Sequence, residues 1–140
     1  MVSGACSPYS TRVSRLLVIE DHTPLRQMLQ YAFEQYGYAV DGARDGHTGI
    51  DLYRNASYDL VLVDLALPDM TGADLIHNIR CQTPTAKIIA MSGNWPTVQA
   101  ADDQLAAVLD ADQVINKPFD LDELLHLVRR LLDGPPPLLH

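Results

Sequence analysis

Short apolar runs alternate with longer amphipathic stretches along this chain. Leu16-Leu17-Val18-Ile19, Leu60-Val61-Leu62-Val63 and Ile88-Ile89-Ala90-Met91 are unbroken, and Val114-Ile115 is a shorter run. Apolar runs that do not alternate fit strands of a parallel sheet, where both faces are covered. Tyr38 to Ala43 is predicted as a further strand. Between the strands, Leu25, Met28, Leu29, Ala32, Phe33 and Tyr36 recur at helical spacing. Thr23 is expected to cap that helix, with Pro24 at its first position and Gly37 as a left-handed stop. Asp45 is predicted to cap a helix carrying Ile50 and Tyr53, and another runs through Leu75, Ile76 and Ile79. Val98, Ala101, Leu105 and Val108 mark a fourth. Asp120 and Glu123 open the last with a capping-box pattern, followed by a stripe of Leu121, Leu124, Leu125, Val128, Leu131 and Leu132.

Five strands alternating with five helices predict an α/β fold, a doubly wound five-stranded parallel sheet of flavodoxin-like (βα)5 type. Right-handed crossovers favour strand order 2-1-3-4-5. The switch point then lies between the first and third strands. In such sheets the chemistry sits beyond the carboxyl ends of the strands. There the runs meet Glu20-Asp21, Asp64, Ser92 and, after Asn116, Lys117-Pro118. An acid pair at a strand end is by itself usually a solvated loop start. Three acids at one switch point repel and raise each other's pKa unless a cation intervenes, and a hard oxygen-ligand ion such as Mg²⁺ resolves that repulsion. Lys117 can neutralise a carboxylate or a phosphoryl oxygen, and the Ser92 hydroxyl can donate to one, with Gly93 leaving room for approach. The constellation points to a divalent cation and a phosphoryl group.

Composition narrows the classes. The 140 residues suit one domain, with 47% hydrophobic and 20% charged residues. A net charge of −8 and a pI near 4.8 speak against direct nucleic-acid binding. No stretch has the length of a membrane span, and a cytoplasmic protein is expected. Cys6 and Cys81 match no metal spacing and no disulfide framework, and read as reduced thiols. The five histidines, His22, His47, His77, His126 and His140, form no ligand spacing. Residues 1–13 read as a mobile leader, 14–133 as the domain, and 134–140, with Gly134-Pro135-Pro136-Pro137, as a stiff tail or the start of a linker.

Taken in order, Leu-Leu-Val-Ile-Glu-Asp, Val-Asp-Leu-Ala-Leu-Pro-Asp-Met-Thr-Gly, Met-Ser-Gly and Asn-Lys-Pro-Phe resemble the motifs of the receiver domain of two-component response regulators. The resemblance covers roughly Ser14 to Leu132. It implies that Asp64 takes a phosphoryl group from a sensor histidine kinase or a histidine phosphotransfer protein. It further implies that Asp21, Asp64 and the Ala66 carbonyl ligate Mg²⁺, that Glu20 acts through bound water, and that Ser92 and Lys117 hold phosphoryl oxygens. A cis Lys117–Pro118 peptide is part of the same expectation. The implied role is a self-phosphorylating signalling switch that controls a partner, not an enzyme with turnover.

Three features depart from the family pattern. Val114 stands where an aromatic switch residue is usual, the segment from Ser92 to Lys117 is a few residues longer, and Asp110-Ala111-Asp112 replaces the usual turn before the fifth strand. Without a ring at Val114, the signal is expected to travel through the loop Gly93 to Thr97, which carries Trp95. Two other functions compete. A phosphatase of the haloacid dehalogenase type needs an acid two residues after its nucleophile, and that position is Ala66. A degenerate receiver acting only as a binding module would not need Glu20, Asp21, Asp64, Ser92 and Lys117 all present.

Overall fold

The computed structural model describes residues 13–93 and 110–133. Their strands are β1 (Arg15–Ile19), β2 (Ala39–Ala43), β3 (Leu60–Asp64), β4 (Ile88–Ser92) and β5 (Gln113–Asn116). Their helices are α1 (Thr23–Gln35), α2 (Gly46–Asn55), α3 (Gly72–Gln82) and α4 (Leu121–Asp133). All four strand pairings are parallel, in the order β2-β1-β3-β4-β5. The predicted leader, the helix through Val98 to Val108, most of the loop carrying Trp95, and the proline-rich tail lie outside the described residues.

The unbroken runs are buried on both faces because alternate residues serve different layers. Leu17, Ile19, Val61, Val63, Ile88, Ala90 and Val114 pack against Ile50 and Tyr53 of α2 and Leu75, Ile76 and Ile79 of α3. Leu16, Val18, Leu60, Leu62, Ile89, Met91 and Ile115 pack against Leu29 and Phe33 of α1 and Leu124, Leu125 and Val128 of α4. Successive strand side chains point to opposite faces, so each run feeds two cores at once. Each fully buried Leu or Ile contributes about 2 kcal/mol by leaving water. β2 reads differently, as Ala-Val-Asp-Gly-Ala, because it is the sheet edge and most of it is only half buried.

Local signals set the helix ends. The Asp45 side chain accepts from Thr48 N at 2.8 Å and Thr71 from Asp74 N at 3.1 Å, each capping its helix. Asp120 does the same for α4, accepting from Asp122 N at 3.0 Å. Gly37 adopts φ +93°, and the Tyr38 N–H returns to the Phe33 carbonyl, closing α1 with a left-handed stop. At the start of α1 the expectation needs correction. His22, not Thr23, is the cap residue, because the Arg26 N–H already bonds the His22 carbonyl at 2.9 Å. Pro24 therefore lies one position further into the first turn. No side chain caps this end. The His22 N–H instead donates to Glu20, inside the acid cluster.

Candidate functional site

Strand register builds the site. Ile19 pairs with Val63, so the chain leaving β1 carries Glu20 alongside Asp64 at the end of β3. Asp64 pairs with Met91, one residue before Ser92, and Ser92 pairs with Asn116, one residue before Lys117. The Lys117 N–H continues this ladder to the Ser92 carbonyl at 2.8 Å. The Lys117–Pro118 peptide is cis, as the resemblance implies. The four strand ends thus bring Glu20, Asp21, Asp64, Ser92 and Lys117 to one edge of the sheet.

Glu20, Asp64 and Ser92 are buried, whereas Asp21 faces solvent. One carboxylate oxygen from each of Glu20, Asp21 and Asp64 lies within 4.8 Å of the others. Lys117 Nζ reaches Glu20 Oε1 at 2.6 Å and Asp64 Oδ2 at 3.4 Å. Burial raises the Glu20 carboxyl to about 7. The Lys117 ammonium and the His22 N–H oppose that rise, while Asp64 reinforces it. The second Asp64 oxygen, Oδ1, accepts from Ala66 N at 3.0 Å. These contacts leave the carboxylate aimed, with one oxygen held by the backbone and the other toward the ammonium. The donors are hard oxygens, they are crowded, and a single ammonium stands among three acids. That set fits a divalent cation of the Mg²⁺ kind.

The loop after β3 is held from two sides. A Cβ on Gly72 would stand 2.6 Å from Leu65 Cα and 3.0 Å from the Asp64 carbonyl oxygen, so only glycine lets α3 start this close to the end of β3. Asp69 accepts from Gly46 N at 2.8 Å and His47 N at 2.9 Å, and its Oδ2 faces His47 Nδ1. Burial would raise the Asp69 carboxyl. The hydrogen bonds from Gly46 and His47 outweigh it and bring the group down to about 2. The segment after β1 has a support of its own: Arg26 donates to the Glu20 carbonyl at 2.8 Å. Sequence reasoning passed over Asp69, His47 and Arg26, because their partners lie up to 23 positions away and no spacing rule joins them. Val114 is buried in the core on the α3 face, and a valine brings no ring there.

A parallel 2-1-3-4-5 sheet with acids, a hydroxyl and an ammonium at its carboxyl edge is a doubly wound α/β fold with its polar cluster at the switch point. The chain matches the response regulator receiver domain family over residues 16–129, and it belongs to that family. Among curated proteins it is similar to the transcriptional regulatory protein DltR of Streptococcus agalactiae. The two are 36% identical over 118 residues, which cover 82% of this chain and 50% of that protein. The chain spans about half the length of the curated relatives it matches. Among solved structures it is similar to a CheY-like receiver domain protein from Methanospirillum hungatei, with TM-score 0.79 and 27% identity over 87% of this chain and 95% of that one. It is also similar to the response regulator TrrA of Thermotoga maritima in complex with Mg²⁺-BeF, with TM-score 0.74 and 29% identity over 86% of this chain and all of that one. Among the described residues no helix is long and apolar enough to cross a membrane.

Proposed function

We propose that Asp64 is the phosphoacceptor of a cytoplasmic signalling switch, charged by the phosphohistidine of a sensor kinase or a phosphotransfer protein. One observation carries this reading: a buried aspartate at a strand end has one oxygen held by Ala66 N and the other 3.4 Å from an ammonium, with two further acids beside it. An Asp64 oxygen attacks the phosphorus, the P–N bond to the donor imidazole breaks, and the electron pair leaves with that imidazole. Lys117, freed from Glu20 and Asp64 as negative charge moves onto the phosphoryl oxygens, turns its ammonium to them. The Ser92 hydroxyl donates to another. Asp21, Asp64 and the Ala66 carbonyl would hold Mg²⁺ directly, and Glu20 through water. When bound, the ion neutralises charge on the phosphoryl oxygens.

The acyl phosphate changes what Ser92 and Lys117 bind, and that change is the signal to a partner. This is a self-catalysed switch rather than an enzyme with turnover. The absence of a carboxylate at Ala66 disfavours a phosphatase, and the complete set of acids, hydroxyl and ammonium disfavours a module that only binds. The Mg²⁺-BeF complex of TrrA and the regulatory names of the relatives support the same reading. Acetyl phosphate with Mg²⁺ should add one phosphoryl group by intact mass, and none without Mg²⁺. An Asp64→Asn chain that labels equally well would overturn the assignment.

A further inference from the structure

Outside the acid pocket, the exposed face of α3 carries His77 and Cys81, one helical turn apart. His77 Nε2 and Cys81 Sγ lie 3.6 Å from each other. Neither side chain has another polar partner among the described residues. Cysteines and histidines counted separately show no ligand spacing, but this pair crosses the two types. Residues four apart on a helix share a face, so the helix itself holds the two donors together.

The separation decides what the pair suits. Zinc binds thiolate sulfur at about 2.3 Å and imidazole nitrogen at about 2.0–2.1 Å, and two such bonds meeting at a tetrahedral angle put sulfur and nitrogen about 3.6 Å apart. The donors already stand at that bite. Imidazole and thiolate select borderline and soft metals, whereas the carboxylates of the acid pocket suit Mg²⁺. We propose that His77 and Cys81 form a second, two-point metal site on α3 for a zinc-class divalent ion, chemically distinct from the acid pocket. Neutral His77 supplies a lone pair through Nε2. Cys81 supplies its thiolate and releases one proton to solvent, while water fills the remaining positions.

The test uses the full chain with Cys6→Ser, so that Cys81 is the only thiol, and millimolar Mg²⁺ to occupy the acid pocket. Co²⁺ is titrated as the probe. A near-ultraviolet sulfur-to-cobalt charge-transfer band should grow to one ion per chain and collapse when Zn²⁺ is added. Cys81→Ser should abolish the band. His77→Gln should weaken Co²⁺ binding by about 10²-fold, the order of gain from tethering two donors. Both side chains are exposed, and circular dichroism of each variant checks that it is folded. Failure of any band to appear would overturn the site and leave the pair an S–H···N contact. Equal affinity in His77→Gln would also overturn it, leaving a lone thiol as the binder. Co²⁺ bound only by the acid pocket would give no sulfur band, so this result is independent of the phosphoacceptor reading.

Discussion

At the amino end of the sheet, Arg15 and Arg80 are each matched to oxygens. At the carboxyl end, Glu20, Asp21 and Asp64 stand around a single ammonium. Arg15 bonds Asp41 at 2.9 Å, and Tyr58 donates to the same carboxylate at 2.6 Å. The Arg15 guanidinium lies 5.3 Å from the centre of the Tyr58 ring. Arg80 donates to the carbonyls of Asp110 at 2.9 Å, Pro84 at 3.1 Å and Ala86, and to Asp112 at 3.0 Å. Asp112 also accepts from Ile88 N at 2.7 Å, tying α3 to the start of β4 and β5. At the amino end each guanidinium is directly paired with carboxylate and carbonyl oxygens. At the carboxyl end three acids share one ammonium, which is the excess of negative charge that the proposed function uses. The same residue types thus hold the shape at one end and, on that proposal, serve reactivity at the other.

That contrast predicts opposite responses to neutralisation. The largest effect belongs to Arg80→Met. It strips the donor from three carbonyls and from Asp112 at a largely buried position, and should cost about 3 kcal/mol in urea unfolding. A loss within experimental error would show that the amino-end clamp is decorative.

Asp64→Asn should act the other way. Relieving carboxylate repulsion should stabilise the protein by about 1–2 kcal/mol in Mg²⁺-free buffer. Mg²⁺ should raise the melting temperature of the native chain and leave that of the Asn variant nearly unchanged. If the variant instead melts lower, the acids are already satisfied and the contrast between the two ends collapses.

Asp69 lies near the reactive end yet behaves like the amino end, because Gly46 and His47 complete its bonding. Its carboxyl sits at about 2 when folded against an ordinary 3.8. The depressed value means that its contribution is fully present above the ordinary value and fades as pH falls toward about 2. Asp69→Asn should therefore cost about 1 kcal/mol at neutral pH, reduced by partial solvent screening, and the gap should close in an acid titration. A gap that stays constant with pH would mean that the loop is held by packing alone.

The smallest effect is expected at Arg15→Met. Both side chains of the Arg15–Asp41 pair are half exposed to solvent, so about 0.5 kcal/mol should be lost, and less in high salt. A much larger loss would mean that the tyrosine stacking at this edge carries weight of its own.

Legibility followed burial and distance along the chain. The strands of the sheet centre were readable from their apolar runs, because two covered faces leave no other pattern. The pocket acids, Ser92 and Lys117 were readable as strand-end residues once the strand order was set. β2 was harder, since an edge strand with Asp41 and Gly42 carries little apolar signal. The start of α1 differs by one residue, because the Thr-Pro rule points to Thr23 while the first helical bond runs from the Arg26 N–H to the His22 carbonyl, and His22 offers no side-chain cap that a sequence would show. The clamps made by Arg80 and Asp69 were invisible. Their partners are carbonyls and amides of other segments, which every residue possesses and no motif records.

The Lys117–Glu20 contact joins positions 97 apart. β1 is synthesised before β5, and its acids meet their ammonium only after β5 has taken its place beside β4. The proposed phosphoacceptor therefore gains its cation last, when the domain is nearly whole. A half-made or locally unravelled chain holds the carboxylates without the ammonium that steadies them. Such a chain should stay chemically silent toward a phosphodonor. On the proposed function, competence to receive a phosphoryl group is in this sense a test of having finished folding, applied at the moment of use.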